Sequence, residues 1–387
     1  MNAGLGVPAF AHQGGGPVGR GAEDEHGLQA AMGTGVTPVK SGTNGISNRR
    51  GRARTRAILL LAGLCVSAFF AYLALRDAHY GQTVDALRET NVPLLIPALG
   101  ALVLAFLLRA VRWRSLFSQS TRPALRDVVP ALFVGYVANA VLPVRAGEAA
   151  AVVTLNRRSR TPVAEGAATM IIQRAEDVLS LVVLLFVMLP WLPSVSWLRA
   201  AGLVAILVMV LLAAMAGVFL RYGERPLRFL LRPLQRFNAI PKDALEHAPG
   251  YFNRGLVALV SPRVAIVSFA WTTLSWIVLA AGFWLVMVAC GIELSLLAAE
   301  LVVIGIGLAM VLPSSPAALG VFEGATVVVL SAYAIPASEA LSYALVLHAL
   351  NVVPLLVVAA IAVLLRRRSV LGPSRGGGPG TNPEVVS

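Results

Sequence analysis

Three charged residues stand inside one apolar run. Arg174, Glu176 and Asp177 interrupt the stretch from Val163 to Leu189, and a charge at the centre of a membrane span costs at least about 2.5 kcal/mol, so their presence there calls for a partner or a task. Arg174 and Asp177, at i and i+3, share a helix face. Two readings fit them. In one, Arg174 together with Arg145 grips a lipid phosphate, because a planar guanidinium matches phosphate oxygens in a bidentate fork. In the other, Arg174 forms an internal ion pair that locks one segment to the next. Glu148 and Glu323 each follow a proline-marked break. A carboxylate there either caps a new helix N-terminus against its positive dipole end or binds a proton. His348, with Asn351 one turn beyond it, is the only histidine within the apolar spans; it either titrates near neutral pH or serves as a packing residue. Pro313 and Gly320 complete the set of candidate substrate-binding positions.

Nothing in the sequence suggests covalent chemistry. HExxH, GxSxG and paired-aspartate loop motifs are missing, and Cys65 and Cys290 lie in apolar stretches without CxxC spacing or a histidine neighbour. The expectation is a protein that is not an enzyme, with no catalytic residue, no metal ligand and no cofactor.

The elements that must carry these residues are membrane spans. With 57% hydrophobic and 13% charged residues, the chain has too much apolar surface to bury in a water-soluble globule. Its 32 Lys+Arg against 19 Asp+Glu give a formal charge of +13, which suits anionic headgroups; no basic-aromatic module is present to bind nucleic acid. Crossing the hydrocarbon takes about 20 apolar residues. Six stretches offer this: Ala57 to Leu75, Pro93 to Leu108, Val163 to Leu189, Ala200 to Leu220, Val264 to Cys290 and Ala340 to Leu365. Two more, Val128 to Leu155 and Leu296 to Ala334, are broken by Pro143 and by Pro313, Pro316 and Gly320. The fold class is therefore an all-α membrane protein of six full transmembrane helices and two broken re-entrant hairpins, or eight spans if each hairpin is counted. A polytopic domain over residues 57–368 is flanked by tails, 1–56 and 369–387, whose composition predicts disorder.

Basic residues beside the spans predict orientation. Arg49, Arg50, Arg52, Arg54 and Arg56 place the N-terminus in the cytoplasm, and Arg366, Arg367 and Arg368 do the same for the C-terminus. Arg76 to Val92 is expected outside. Arg109, Arg112, Arg114, Arg122 and Arg126 then form a cytoplasmic loop, and Arg157, Arg158 and Arg160 bring the far flank of the first hairpin to that same side. Trp191 and Trp197 are expected as interfacial anchors. Arg221 to Arg236, with arginines spaced three or four apart beside leucines, predicts a helix on the inner leaflet. Localisation to the plasma membrane with both termini cytoplasmic follows, and the two hairpins enter from opposite faces.

That opposition matches an internal repeat. Val141-Leu142-Pro143 followed by Gly147-Glu148 recurs as Val311-Leu312-Pro313 followed by Gly320 and Glu323, and Arg174 with Asp177 falls at the offset of His348 with Asn351. The units, about 93–189 and 264–365, each read span, hairpin, span with inverted topology, the design by which secondary transporters alternate a midplane site. Broken backbone at membrane depth must be packed in protein or line a wet cavity.

The same residues carry a family resemblance. Asn139 to Glu148 (NAVLPVRAGE), Gln173 to Asp177 (QRAED), Leu312 to Glu323 (LPSSPAALGVFE), His348 with Pro354, and the Arg109, Arg112, Trp113 element resemble the lysylphosphatidylglycerol synthase transmembrane family of flippase-like proteins. The resemblance implies a membrane domain that moves an anionic or polar-headgroup lipid across the cytoplasmic membrane. The family's glycine pair after the second proline is Ala317 and Ala318 here, which implies a stiffer turn. The chain ends at Ser387, soon after its last span, so no soluble aminoacyltransferase domain is expected. A non-transporting scaffold or partner subunit of a lipid or cell-envelope enzyme is the alternative. Membrane lipids are the expected partners, with a homo-oligomer or a separate lipid-modifying enzyme as the protein partners compatible with the sequence.

Overall fold

A computed structural model describes residues 61–142, 146–193, parts of 202–222, 261–310 and 315–371, with side chains to 365. Every element among these residues is helical. In chain order they are α1 (Leu61–Leu75), α2 (Tyr80–Arg88), α3 (Leu95–Ser115, entered through a 3-10 turn at Val92–Leu94), α4 (Leu125–Val141), α5 (Gly147–Ser159), α6 (Val163–Met188), α7 (Pro262–Ala289), α8 (Leu296–Ala309), α9 (Val321–Ser331) and α10 (Ala337–Leu371). The tail over 1–56, the surface helix expected at 221–236 (beyond two residues of helix at its start) and the turn with Trp197 lie outside the described residues, as does most of the expected span Ala200 to Leu220.

Three helices are long and apolar enough to cross a membrane by themselves, Val92–Ser115, Pro262–Ala289 and Ala337–Leu365, and α1 with α2 meets that standard together across an 82° bend. At 26 residues α6 has the length for a crossing, about 39 Å at 1.5 Å per residue; Glu165, Arg174, Glu176 and Asp177 are what set it apart. The outer faces are apolar. Ile96, Val103, Leu104 and Leu107 on α3, Ile266, Val267, Leu274 and Ile277 on α7, and Val353, Val357, Ile361 and Leu364 on α10 are all exposed, apolar faces suited to lipid. The chain is a membrane protein.

Arg76 to Val92 holds α2, which packs against α10, with Ser338 accepting the His79 N–H at 2.9 Å. One expectation changes in detail. The span expected to stop at Leu108 continues to Ser115. Counting arginines as a loop signal misplaced Arg109 and Arg112, since these side chains have partners inside the helix packing.

The centre of the fold is the pair α3 and α7. Gly282 of α7 sits against Ala98 and Ala101 of α3, Asn91 donates to the Ala289 carbonyl at 2.8 Å, and Arg112 meets Thr272 at 3.2 Å. These pairings descend along one helix as they ascend the other, so the two run antiparallel. Each is followed by a helix–break–helix unit. In the first, Gly135 faces Gly147 and Ala151 while Arg126 lies beside Arg158, which makes α4 and α5 an antiparallel hairpin. A Cβ on Gly135 would come within 2.9 Å of the Gly147 carbonyl oxygen. In the second, Gly305 of α8 packs under Val329 of α9. The larger core forms among α6 to α10 around Leu185, Met287, Ile304, Leu330, Tyr343 and Leu347. A smaller one, Trp113, Phe117, Val128, Leu132 and Leu155, joins α3, α4 and α5.

Candidate functional site

The first break is followed by a cluster of fixed charges. Arg112, almost wholly buried on α3, forms a salt bridge with Asp177 of α6, and it donates to Gln173 Oε1 at 2.7 Å and to Thr272 at 3.2 Å. Asp177 also lies 3.8 Å from Arg174 one helical turn away. Arg174 then pairs with Glu148, in the first turn of α5. Exposure rises from the inner pair to the outer one: the Arg112 side chain is 4% exposed and Asp177 15%, against 27% for Glu148 and 60% for Arg174. The inner pair is shielded and the outer one is open, so the outer one is free to exchange partners. Behind them, Glu176 accepts from Ser268 at 2.7 Å and from Thr272 at 3.4 Å. Each is a charge-assisted bond that offsets part of the carboxylate's desolvation.

Capping explains why Glu148 is available. The N–H of Gly147, at the start of α5, donates to Asn139 Oδ1 at 2.8 Å from across the hairpin, so an amide already fills the cap and the carboxylate turns to Arg174. The second break does the opposite. Glu323 accepts the Gly320 N–H at 2.7 Å, the carboxylate half of a capping box, and its other oxygen lies 2.5 Å from His348 Nδ1. Both members are buried, and the Phe322 ring lies 4.7 Å from the imidazole, centroid to centroid. Asn351 stays outside this pair and bonds its own helix at the Leu347 carbonyl.

Gly320 has φ +85° and touches the backbone of Ser67 in α1 so closely that a Cβ would overlap it; Gly324 meets the Phe70 carbonyl in the same way. Gly320, at the N-cap of α9, meets Ser67 and Ala71 of α1, and Gly324, one turn on, meets Phe70, as small residues do where membrane helices approach closely. Gly320 is thus a packing residue. Ser67 Oγ also accepts the Ser315 N–H at 2.8 Å. Ala317 and Ala318 adopt left-handed φ of 54° and 58°, a conformation that costs a residue with a Cβ roughly 1 kcal/mol or more. α4 packs against the Pro316–Ala318 turn, bringing the first hairpin to the second break. Arg145 and Pro313 lie outside the described residues.

The structure therefore gathers Glu148, Arg174 and Asp177 at one locus and Glu323 and His348 at another. Glu148 pairs with a residue 26 positions on and Glu323 with one 25 positions on. The sequence reading took Arg109 and Arg112 for loop charges and did not number Gln173 or Glu176 among the site positions; the signal for all four was polarity facing polarity on α3, α6 and α7, visible only once the helices are paired.

Helices with lipid-facing apolar flanks around buried charge networks define a polytopic membrane protein built for contact with lipid. Residues 60–359 match the lysylphosphatidylglycerol synthase TM region, and the chain belongs to that family. It is also similar to a protein named glycosyltransferase AglD from Haloferax volcanii, 25% identical over 332 residues that cover 77% of this chain and 53% of the relative. The chain thus spans about half the length of that relative.

Proposed function

We propose that the protein moves an anionic or polar-headgroup lipid across the plasma membrane, acting as a transporter and not as an enzyme, with both termini in the cytoplasm. The observation that carries this reading is the graded charge chain from Arg112 through Asp177 to Arg174 and Glu148. It reaches from the helix packing to an exposed arginine beside a backbone break. A headgroup phosphate exchanging with Glu148 for Arg174 enters a polar path while its acyl chains stay in lipid.

The antiparallel α3 and α7, the hairpin that follows each, and the equivalent Glu148–Arg174 and Glu323–His348 contacts support an inverted repeat of six spans and two re-entrant hairpins. In this reading the first break contacts the headgroup, and the buried Glu323–His348 pair forms its counterpart on the other side.

The test is reconstitution of this protein alone into vesicles with fluorescent phosphatidylglycerol in both leaflets. Protein-dependent exposure of inner-leaflet lipid to an impermeant quencher is the expected result; a rate equal to that of empty vesicles defeats transport. The likeness to a relative named as a glycosyltransferase favours one second reading, a membrane scaffold for a lipid-linked or envelope enzyme. That reading predicts no flipping and co-purification with such an enzyme.

A further inference from the structure

The three arginines near the first break are not equivalent. Arg112 is neutralised by Asp177 and held by Gln173 and Thr272, and Arg174 is neutralised by Glu148. Arg109, one turn before Arg112 on α3, makes no salt bridge among the described residues. One of its terminal nitrogens donates to the Tyr136 hydroxyl of α4 at 2.8 Å, and its guanidinium carbon lies 4.4 Å from the centre of the Trp276 ring of α7. Its Nε and Nη2 are buried without any partner, and so is Nε1 of the same Trp276. Three N–H donors therefore lie together beneath the surface, two of them on a cation, with no acceptor supplied. Buried donors are almost always satisfied, and a stacked guanidinium holds its free edge in a fixed plane.

We propose that Arg109, with the Trp276 indole N–H, is the ligand for a tetrahedral phosphate oxyanion, carried by a lipid headgroup. The assignment rests on the transport reading above and deepens it: Arg174, already paired and exposed, is the outer contact, and Arg109 is the inner donor. Nε and Nη2 of one guanidinium form the fork that engages two phosphate oxygens. The surroundings favour a lipid over free phosphate. Leu107, two residues from Arg109, and Leu274 and Ile277, beside Trp276, are exposed apolar residues, so acyl chains have a surface within reach of the donors. The open Glu148–Arg174 pair connects to this locus through the hairpin of α4 and α5, which carries Tyr136 on one arm and Glu148 on the other.

The experiment uses the purified full chain in detergent, titrated with dihexanoyl phosphatidylglycerol and, in parallel, with inorganic phosphate. Calorimetry should show Arg109→Gln weakening lipid binding by about tenfold or more, with an unchanged melting temperature, and Arg109→Lys falling between it and the parent. A second readout needs no change at Arg109. Titration of the parent chain with lipid should shift tryptophan emission, and Trp276→Phe should remove that shift. Parent-like affinity in a folded Arg109→Gln overturns the assignment, as does lipid binding whose emission change survives in Trp276→Phe. Equal affinity for inorganic phosphate overturns the lipid as its source. Flipping by the parent that persists in Arg109→Gln sinks this inference and leaves transport standing; Arg109-dependent lipid binding without flipping by the parent sinks transport and leaves the site.

Discussion

The two breaks have the same architecture and opposite surroundings. At the first, an amide from the facing helix caps α5, and the freed Glu148 joins a ladder of arginines and acids that opens outward. At the second, Glu323 does the capping itself, keeps His348 as its one charged or titratable partner among the described residues, and is closed over by α1. The difference shows that a broken helix hairpin does not by itself make a binding surface. What decides is who satisfies the helix N-terminus: if a neutral side chain does it, the adjacent carboxylate is available for exchange, and if the carboxylate does it, the break becomes a sealed joint.

The strongest way to break the first region is to remove its innermost cation. Arg112→Gln leaves Asp177 with no salt bridge but the longer one to the exposed Arg174 and should cost about 3 to 5 kcal/mol, read as a large drop in detergent melting temperature; a drop of under a degree would mean that Asp177 is not held by Arg112. Next come the glycine contacts, which should make the two regions look alike. Gly147→Ala in the first and Gly324→Ala in the second each place a methyl against a backbone carbonyl, and each should lose roughly 1 to 3 kcal/mol. If only one does, the tightness of the two breaks differs as much as their charge.

A smaller effect of opposite sign is expected at Ala317. Replacing it with glycine relieves a left-handed φ and should gain up to about 1 kcal/mol, measured as a raised midpoint of thermal unfolding. The least change in stability belongs to Arg174→Gln, because an exposed pair contributes about 0.2 to 1 kcal/mol, yet vesicle flipping should be abolished. The companion variant is Arg174→Gln with Glu148→Gln. Neutralising Asp177 along with Arg174 would strip Arg112 of its counter-charge and confuse the two regions. Normal flipping by the Arg174, Glu148 double variant would reduce the outer pair to a clasp.

Much of this was legible in the sequence, for reasons that can be named. Apolar runs longer than the hydrocarbon is thick announce helices, and prolines within such runs announce breaks, so the long apolar helices α3, α7 and α10 and the separation of α4 from α5 and of α8 from α9 followed from local pattern. Arg174, Glu148, Glu323 and His348 were visible because a charge in an apolar run has a cost that composition alone reveals. Partnership was not visible. Arg174 and Asp177 share a helix face, but the stronger partner of each comes from elsewhere, Glu148 from α5 and Arg112 from α3. Arg109 and Arg112 were hidden by their position at a span's end, where an arginine that sets topology and one that is buried look the same. Asn139 gave no sign of its cap, because the seven residues between it and Gly147 cross a break whose return direction no periodicity encodes.

The contact of α1 with the second break bears on the order in which the molecule is made. Ser67 emerges from the ribosome early, and the amide it receives belongs to Ser315, 248 residues later. The Gly135–Gly147 closure of the first hairpin, by contrast, needs only neighbours. The first half can therefore reach its packed form while synthesis continues, whereas α1 must wait in the bilayer with its small-residue face uncovered until α9 arrives. Chains stopped before residue 315 should hold a finished first hairpin and an undocked first helix, so that the early helix is seated only as the last two helices, α9 and then α10, are made.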